Sequence, residues 1–154
     1  MKNKYLSLFI IFLVTFIAPM IGSYATATFK EPWYSEILLP SFNPPSWVFA
    51  PVWTTLYLLM SIAAWNIWTI NKKLKILKIY FIHIFFNSLW SVLFFGFHQP
   101  LLALINLIII LFFIIYLMKV YFSISKISFY LMVPYIIWSS YALILNVSIV
   151  IMNN

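Results

Sequence analysis

Ionisable side chains are scarce in this chain and poorly placed for bond-making chemistry. Its 154 residues include two glutamates, two histidines, no aspartate and no cysteine. A Ser-His-Asp catalytic triad cannot form, because the chain has no aspartate. Thiol and disulfide chemistry are excluded, because it has no cysteine. Two histidines far apart in sequence, without cysteine or carboxylate neighbours, do not make a metal site. The sequence thus predicts no metal and no hydrolytic or phosphoryl-transfer apparatus.

Coupled transport also lacks the groups that it needs. Proton- or ion-driven carriers place an ionisable side chain inside a membrane span, yet Glu31 and Glu36 both fall in one loop. His83 lies within an apolar segment and could titrate. Helix packing is the simpler role for it. His98 falls in a loop, where we expect it to be solvated.

Aromatic and amide side chains remain, and they recur at helical spacing on three apolar segments. The three faces contain Trp53, Tyr57, Ala64 and Trp68; His83, Asn87, Trp90, Ser91 and Phe94; and Pro134, Tyr135, Trp138, Tyr141, Ala142 and Leu145. An amide in mid-span is costly against lipid, so Asn87 is expected to point inward. Each face alone could be packing or an interfacial belt. Together they predict an apolar cavity with a few polar groups, as in small-molecule sites.

The composition indicates how these faces are positioned. Hydrophobic residues make up 66% and charged residues 7% of the chain, and apolar runs of about 20 residues recur, which is the length of a membrane span. We predict an all-α membrane protein, a five-transmembrane-helix bundle in one domain, 1–154. The predicted spans are 5–27, 46–70, 78–97, 101–121 and 128–151, and the long first loop is 28–45. Pro100 suits the first turn of the fourth span.

The first apolar run has two interpretations. Lysines precede it and the small residues Ala25-Thr26-Ala27 follow it, as in a cleaved secretory signal. The run is longer than the apolar core of a usual signal, which favours a retained span.

The positions of the lysines predict which side of the membrane each loop faces. The net charge of +7 rests on nine lysines without arginine. Five spans put all but Lys30 on one side: Lys2, Lys4, Lys72, Lys73, Lys75, Lys78, Lys119 and Lys126. Cytoplasmic loops collect positive charge, so we predict a cytoplasmic N-terminus, with the first loop and the C-terminus facing outward. This explains the charge without nucleic-acid binding, and a bacterial plasma membrane fits best.

Prolines and rings are concentrated between residues 33 and 57. Pro40, Pro44 and Pro45 stiffen the segment 33–45, which we interpret as a lid over the cavity. We interpret the segment 46–57 as the first cavity wall. The whole stretch resembles the signature of the tryptophan-rich sensory protein / translocator protein family, also called the TspO/MBR or peripheral-type benzodiazepine receptor family. The matching motifs are Trp33-Tyr34, Pro40, Pro44-Pro45, Phe49, Pro51-Val52-Trp53-Thr54, Leu56-Tyr57, Asn87-Ser88-Leu89-Trp90-Ser91, Phe94-Phe95-Gly96, Pro134-Tyr135, Trp138, Tyr141-Ala142 and Leu145-Asn146.

The resemblance implies a five-helix bundle, often a homodimer. It would bind tetrapyrroles (protoporphyrin IX or haem), isoquinoline carboxamides and benzodiazepine-type drugs, with a sensory or stress-regulatory role and no obligatory cofactor. Carried over by position, the ligand-binding residues are Tyr34, Pro44, Trp53, Tyr57, Asn87, Trp90, Ser91, Trp138 and Ala142.

Two alternatives to simple binding stay open. The resemblance also implies light- and oxygen-dependent degradation of porphyrin, for which Trp53 and Trp138 would be the catalytic residues, since tryptophan is electron-rich and stacks well. A porphyrin or metabolite transporter is the other alternative. The missing intramembrane charges disfavour active coupling, but they leave a passive route open.

The sequence departs from the family pattern in places. Phe42 stands where many members have tryptophan, and Leu39 where lysine is common. The cholesterol motif of animal members needs a tyrosine and a basic residue where this chain has Val147 and Ile151. Leu117, Tyr121 and Lys126 make a loose match elsewhere, but such patterns are weak, so cholesterol is not predicted as a partner.

Overall fold

Five long helices form the protein in a computed structural model that describes residues 4–153. They are α1 (Lys4–Phe29), α3 (Ser46–Asn71), α4 (Leu74–Ser91), α5 (Pro100–Ile124) and α6 (Lys126–Met152). A short helix, α2 (Trp33–Glu36), lies in the first loop, and a π-helical turn, Val92–Gly96, continues α4. Each long helix, with the π-turn counted in α4, is long and apolar enough to cross a membrane. The prediction of an all-α, five-span membrane fold is confirmed.

Two predicted breaks between spans are shorter in the structure. Residues 71–77 were expected to be a polar connection, but α4 begins at Leu74 and only Lys72 and Lys73 separate it from α3. Lys72 makes the turn with a left-handed φ of 52°. The first turns of α4 can include lysines, because the long aliphatic stem of a lysine side chain can lie along the helix while its ammonium group reaches water. The expected break 122–127 is likewise only Ser125, whose side chain accepts a hydrogen bond from the Ser128 amide.

The long helices pack as a ring around a common core. Helix α1 packs on α3 and α4, α3 on α6, α6 on α5, and α5 on α4. Its core includes Ile11, Met60, Ile114 and Tyr135, all fully buried. The outer surface keeps exposed apolar side chains such as Phe112, as a lipid-facing surface requires. Helix α1 is thus part of the packed bundle, and its retention as a span remains a prediction.

The first loop is attached to the C-terminal helix. The Tyr141 hydroxyl donates to the Phe42 carbonyl at 2.6 Å. Just after α6, the side chain of its C-cap residue, Asn153, accepts from the Leu38 amide at 2.8 Å and donates to the Leu38 carbonyl at 2.9 Å. The loop therefore lies at the end of the bundle where α1 and α4 finish and where α3 and α5 begin.

Candidate ligand-binding cavity

A cavity of about 680 Å³ lies at the loop end of the bundle, with walls from all five long helices and from the first loop. This volume is within the usual range for small-molecule sites. Eight of the nine predicted ligand-binding residues line it: Tyr34, Trp53, Tyr57, Asn87, Trp90, Ser91, Trp138 and Ala142. Their contact with a ligand remains a prediction.

Pro44 is the exception, since it is not among the residues that line the cavity. Its neighbour Pro45 is the N-cap residue of α3 and has an extended conformation, with φ −55° and ψ 141°. The proline pair therefore fixes the direction in which α3 begins, because a proline locks φ and restricts the residue before it. The loop contributes Lys30 and Tyr34 to the cavity wall instead.

The cavity floor is a hydrogen-bonded network of three helices. The Tyr57 hydroxyl on α3 donates to Asn87 Oδ1 on α4. Asn87 Nδ2 donates to the Tyr135 hydroxyl on α6 at 2.9 Å, and that oxygen lies 2.7 Å from His83 Nε2. Asn87 points inward as predicted, but its amide is bonded to two tyrosines. Its structural role is to hold both rings, and His83 is fully buried in the same network.

Aromatic rings form the walls above this floor. The Trp53 ring stacks on Tyr57 at 5.6 Å between centroids, and Trp138 meets Phe49 edge-on at 6.0 Å. Trp90 stacks on Phe94 at 5.0 Å. These rings provide broad apolar surfaces against which a flat aromatic molecule can stack.

One amide side chain, that of Asn146, links the Trp90 wall to its surroundings. Trp90 Nε1 donates to Asn146 Oδ1 at 3.2 Å, and Asn146 Nδ2 donates to the Pro100 carbonyl at 3.0 Å. This fixes the indole plane against the start of α5. The Ser139 hydroxyl is also buried and lines the cavity.

Helix α1 supplies a wall that the sequence analysis missed. Its cavity-lining residues are Phe16, Pro19, Met20, Gly22, Ser23, Thr26 and Ala27. A Cβ atom at Gly22 would lie 3.0 Å from Ser91 Oγ, so glycine allows α1 to approach the end of α4 closely. A signal was present, because Ala18, Gly22 and Ala25 are small, buried residues spaced three or four apart.

The π-helical turn was also not predicted. It places Phe94 and Phe95 on the cavity wall, and single π-turns occur frequently at functional sites. His98, just after it, has a left-handed φ of 53°. Its ring is exposed, as expected, but it also stacks on Trp33 at 4.6 Å and lies 2.8 Å from the Phe29 carbonyl. His98 therefore joins the end of α1 to α2.

Tyr34 and Lys30 define the cavity mouth. The Tyr34 hydroxyl accepts a hydrogen bond from Asn43 Nδ2 at 3.3 Å. Burial raises the pKa of Tyr34 above its ordinary value of 10.0, so its phenol is neutral at physiological pH. Lys30 Nζ lies 4.8 Å from the centroid of the Tyr34 ring.

The cavity is open on one side, between α1 and α3. The exposed lining residues are Met20, Ser23 and Ala27 on α1, and Ser46, Ala50 and Thr54 on α3. Near this opening α1 packs against the π-turn, while the start of α3 packs towards α6, as the Phe49–Trp138 contact shows. A molecule dissolved in the membrane therefore meets an opening in the side of the bundle that is lined by both apolar and hydroxyl side chains.

Comparison with known proteins identifies the family. The family model of the TspO/MBR family matches residues 9–152. The chain is 34% identical to "Tryptophan-rich protein TspO" of Chlorobaculum tepidum over 79% of each chain. It is 34% identical to "Tryptophan-rich sensory protein" of Cereibacter sphaeroides over 86% of this chain and 85% of that one. It is 28% identical to human "Translocator protein" over 84% of this chain and 82% of that one. This chain belongs to the TspO/MBR family of integral membrane proteins.

Proposed function

We propose that this protein binds flat aromatic molecules in its cavity, in a sensory or stress-regulatory role. The ligands would be tetrapyrroles such as protoporphyrin IX or haem, and isoquinoline carboxamide or benzodiazepine-type compounds. One observation carries the proposal. A cavity of about 680 Å³ has indole rings on several walls, from Trp53, Trp90 and Trp138. Such a volume suits a small-molecule ligand, and the rings favour stacking.

The test is a titration of the purified protein in detergent with protoporphyrin IX, in the dark. We expect saturable quenching of tryptophan fluorescence, and weaker binding to Trp138→Phe. Trp47→Phe is the matched control, because Trp47 lies on α3, is 75% exposed and does not line the cavity. Equal affinities for wild type, Trp138→Phe and Trp47→Phe would remove the cavity as the binding site.

A second candidate function is degradation of the bound porphyrin by dioxygen under light. Trp53 and Trp138 both line the cavity, so a porphyrin there would lie against electron-rich rings. In this case a product appears only with light and oxygen, and Trp53→Phe and Trp138→Phe both suppress it. Bleaching at the rate seen in empty detergent micelles would reject this function.

Passive transfer of a porphyrin or related metabolite is the third candidate. The opening between α1 and α3 connects the cavity to the membrane side of the bundle, and charged side chains within the spans are not needed for such a route. Flux of protoporphyrin IX into sealed vesicles that contain the protein would support it. Flux equal to that of protein-free vesicles would exclude it.

We propose that the cavity mouth faces outward across a bacterial plasma membrane. Seven lysines support this orientation, since Lys4, Lys72, Lys73, Lys75, Lys78, Lys119 and Lys126 lie at helix ends opposite the cavity. Lys2, the eighth in the prediction, lies outside the described residues. Because the chain has no cysteine, single-cysteine variants report sidedness cleanly. An impermeant maleimide should label Ser41→Cys in intact cells, and Lys73→Cys only after permeabilisation.

The homodimer implied by the resemblance is tested by the mass of the detergent-solubilised protein.

A further inference from the structure

One charged side chain, Lys30, lines the cavity within the part of the chain that the structure describes. It follows the end of α1 and lies beside Tyr34 at the mouth. Its side chain is 26% exposed, and its ammonium group lies 3.7 Å from Glu31 Oε1. The other described lysines lie at the opposite end of the bundle. Lys30 is therefore the local source of positive charge for whatever occupies the cavity.

The neutral floor determines where a charged ligand group has to lie. Asn87 bonds there to Tyr57 and Tyr135, and Tyr135 to His83, so an ionised carboxylate among them would have no lysine to compensate its charge. Burial of such a charge without a partner is strongly unfavourable. An anionic group on an aromatic ligand is therefore stable only at the mouth, within reach of Lys30.

The ion pair that Lys30 makes in the ligand-free protein is weak and replaceable. The Glu31 side chain is 57% exposed, and exposed pairs contribute little to stability because water and salt screen them. The Tyr34 ring face holds the ammonium group at the cavity edge through a cation–π contact. The flexible lysine stem then allows the ammonium to turn from Glu31 to a ligand.

We propose that Lys30 binds a carboxylate of the ligand, with the aromatic body inside the cavity, and that Glu31 competes for the same ammonium group. This inference rests on the proposed binding function and adds that planar aromatic acids, among its ligands, are held in one orientation. Lys30 is then a specificity-determining residue, and Glu31 an internal competitor that lowers affinity for anions.

The experiment compares protoporphyrin IX, which carries two carboxylates, with its uncharged dimethyl ester at low salt. We expect Lys30→Gln to weaken binding of the acid by about two- to fivefold, as for a partly exposed ion pair. Glu31→Gln should strengthen it by a smaller factor. Neither substitution should change the affinity for the ester, and 0.5 M salt should reduce both effects. Lys73→Gln at the opposite end removes the same charge and should change nothing.

Each other outcome has a definite meaning. Equal losses for the acid and the ester in Lys30→Gln would show that the lysine stem acts by packing, and would overturn the proposal. Unchanged affinity for the acid in Lys30→Gln would overturn it as well, as would the same loss in Lys73→Gln. If wild-type protein bound neither compound, the proposed function itself would fail. Tight binding of both compounds without any variant effect would leave binding intact and remove only the role of Lys30.

Discussion

Replacement of Asn87 by leucine tests the cavity floor most directly. Leucine has the same branched shape and is larger, so Asn87→Leu removes hydrogen bonds without leaving a void. Tyr57 loses the acceptor of its hydroxyl, whereas Tyr135 keeps His83 as a partner. Hydrogen bonds between membrane helices contribute about 0.6 kcal/mol each and at most about 1.7. The loss of two should lower the free energy of unfolding by about 1–3 kcal/mol, since Tyr57 is left unsatisfied.

Affinity should fall for a separate reason. Tyr57 stacks on Trp53, and Asn87 holds the Tyr57 ring, so the substitution loosens a wall against which the ligand packs. We expect protoporphyrin IX to bind about three- to tenfold more weakly, which corresponds to about 0.7–1.4 kcal/mol. Fluorescence titration measures the affinity, and unfolding in detergent measures the stability.

Asn106→Leu is the matched control. Asn106 is also a buried amide within a span, and its Nδ2 donates to the Phe86 carbonyl at 2.9 Å. It does not line the cavity. We expect Asn106→Leu to change stability by about 1 kcal/mol or less and to leave the affinity unchanged. If both variants lowered the affinity equally, or if Asn87→Leu bound as well as wild type, the role of the floor in ligand binding would be refuted.

Three further substitutions test other contacts. Gly22→Ala places a Cβ atom 3.0 Å from Ser91 Oγ. Because that hydroxyl can rotate and alanine favours the helix, overpacking should cost about 1 kcal/mol of stability or less; Gly96→Ala, whose Cβ meets its nearest neighbour at 3.7 Å, should not lower the thermal midpoint. Asn153→Ala removes both hydrogen bonds to the first loop and should speed its proteolysis while the helical circular dichroism stays constant. Ser139→Ala removes a buried hydroxyl from the cavity wall, while Tyr135 one turn before it keeps Asn87 and His83 as partners, so the thermal midpoint should change little.

The spans could be predicted because the apolar runs are long and the lysines mark their ends. The boundaries were less accurate where a helix carries charge, as at the start of α4, because lysine stems remain compatible with a helix at the membrane surface. Helix α2 and the π-turn could not be predicted from periodicity. Both depend on tertiary contacts, such as Trp33 against His98 and against Phe94, that join segments distant in sequence.

In the sequence, the spacing of aromatic residues predicted which helix faces line the cavity better than the spacing of small residues did. Trp53, Trp90 and Trp138 all line the cavity. Their contact with a ligand remains a prediction. Helix α1 was not predicted as a wall because most of the residues that it contributes are small or aliphatic, and Phe16 is the one aromatic ring among them, so no aromatic pattern marks this face. Pro44 was included among the ligand-binding residues by family position, which does not separate a residue that lines a cavity from one that directs the adjoining helix; it does not line the cavity, and its contact with a ligand stays a prediction.

The floor and the mouth of the cavity differ in how they are held, and this difference assigns them different roles. The floor joins α3, α4 and α6 through hydrogen bonds between buried side chains. The mouth depends on exposed contacts of the first loop, through Asn153 and Tyr141, and exposed hydrogen bonds open at lower free energy than buried ones. A ligand that enters at the mouth, and not through the opening between α1 and α3, should therefore displace the loop before it disturbs the floor. It follows that substitutions at the mouth, such as Lys30→Gln, change which ligands bind, whereas Asn87→Leu weakens the binding of every ligand that reaches the floor.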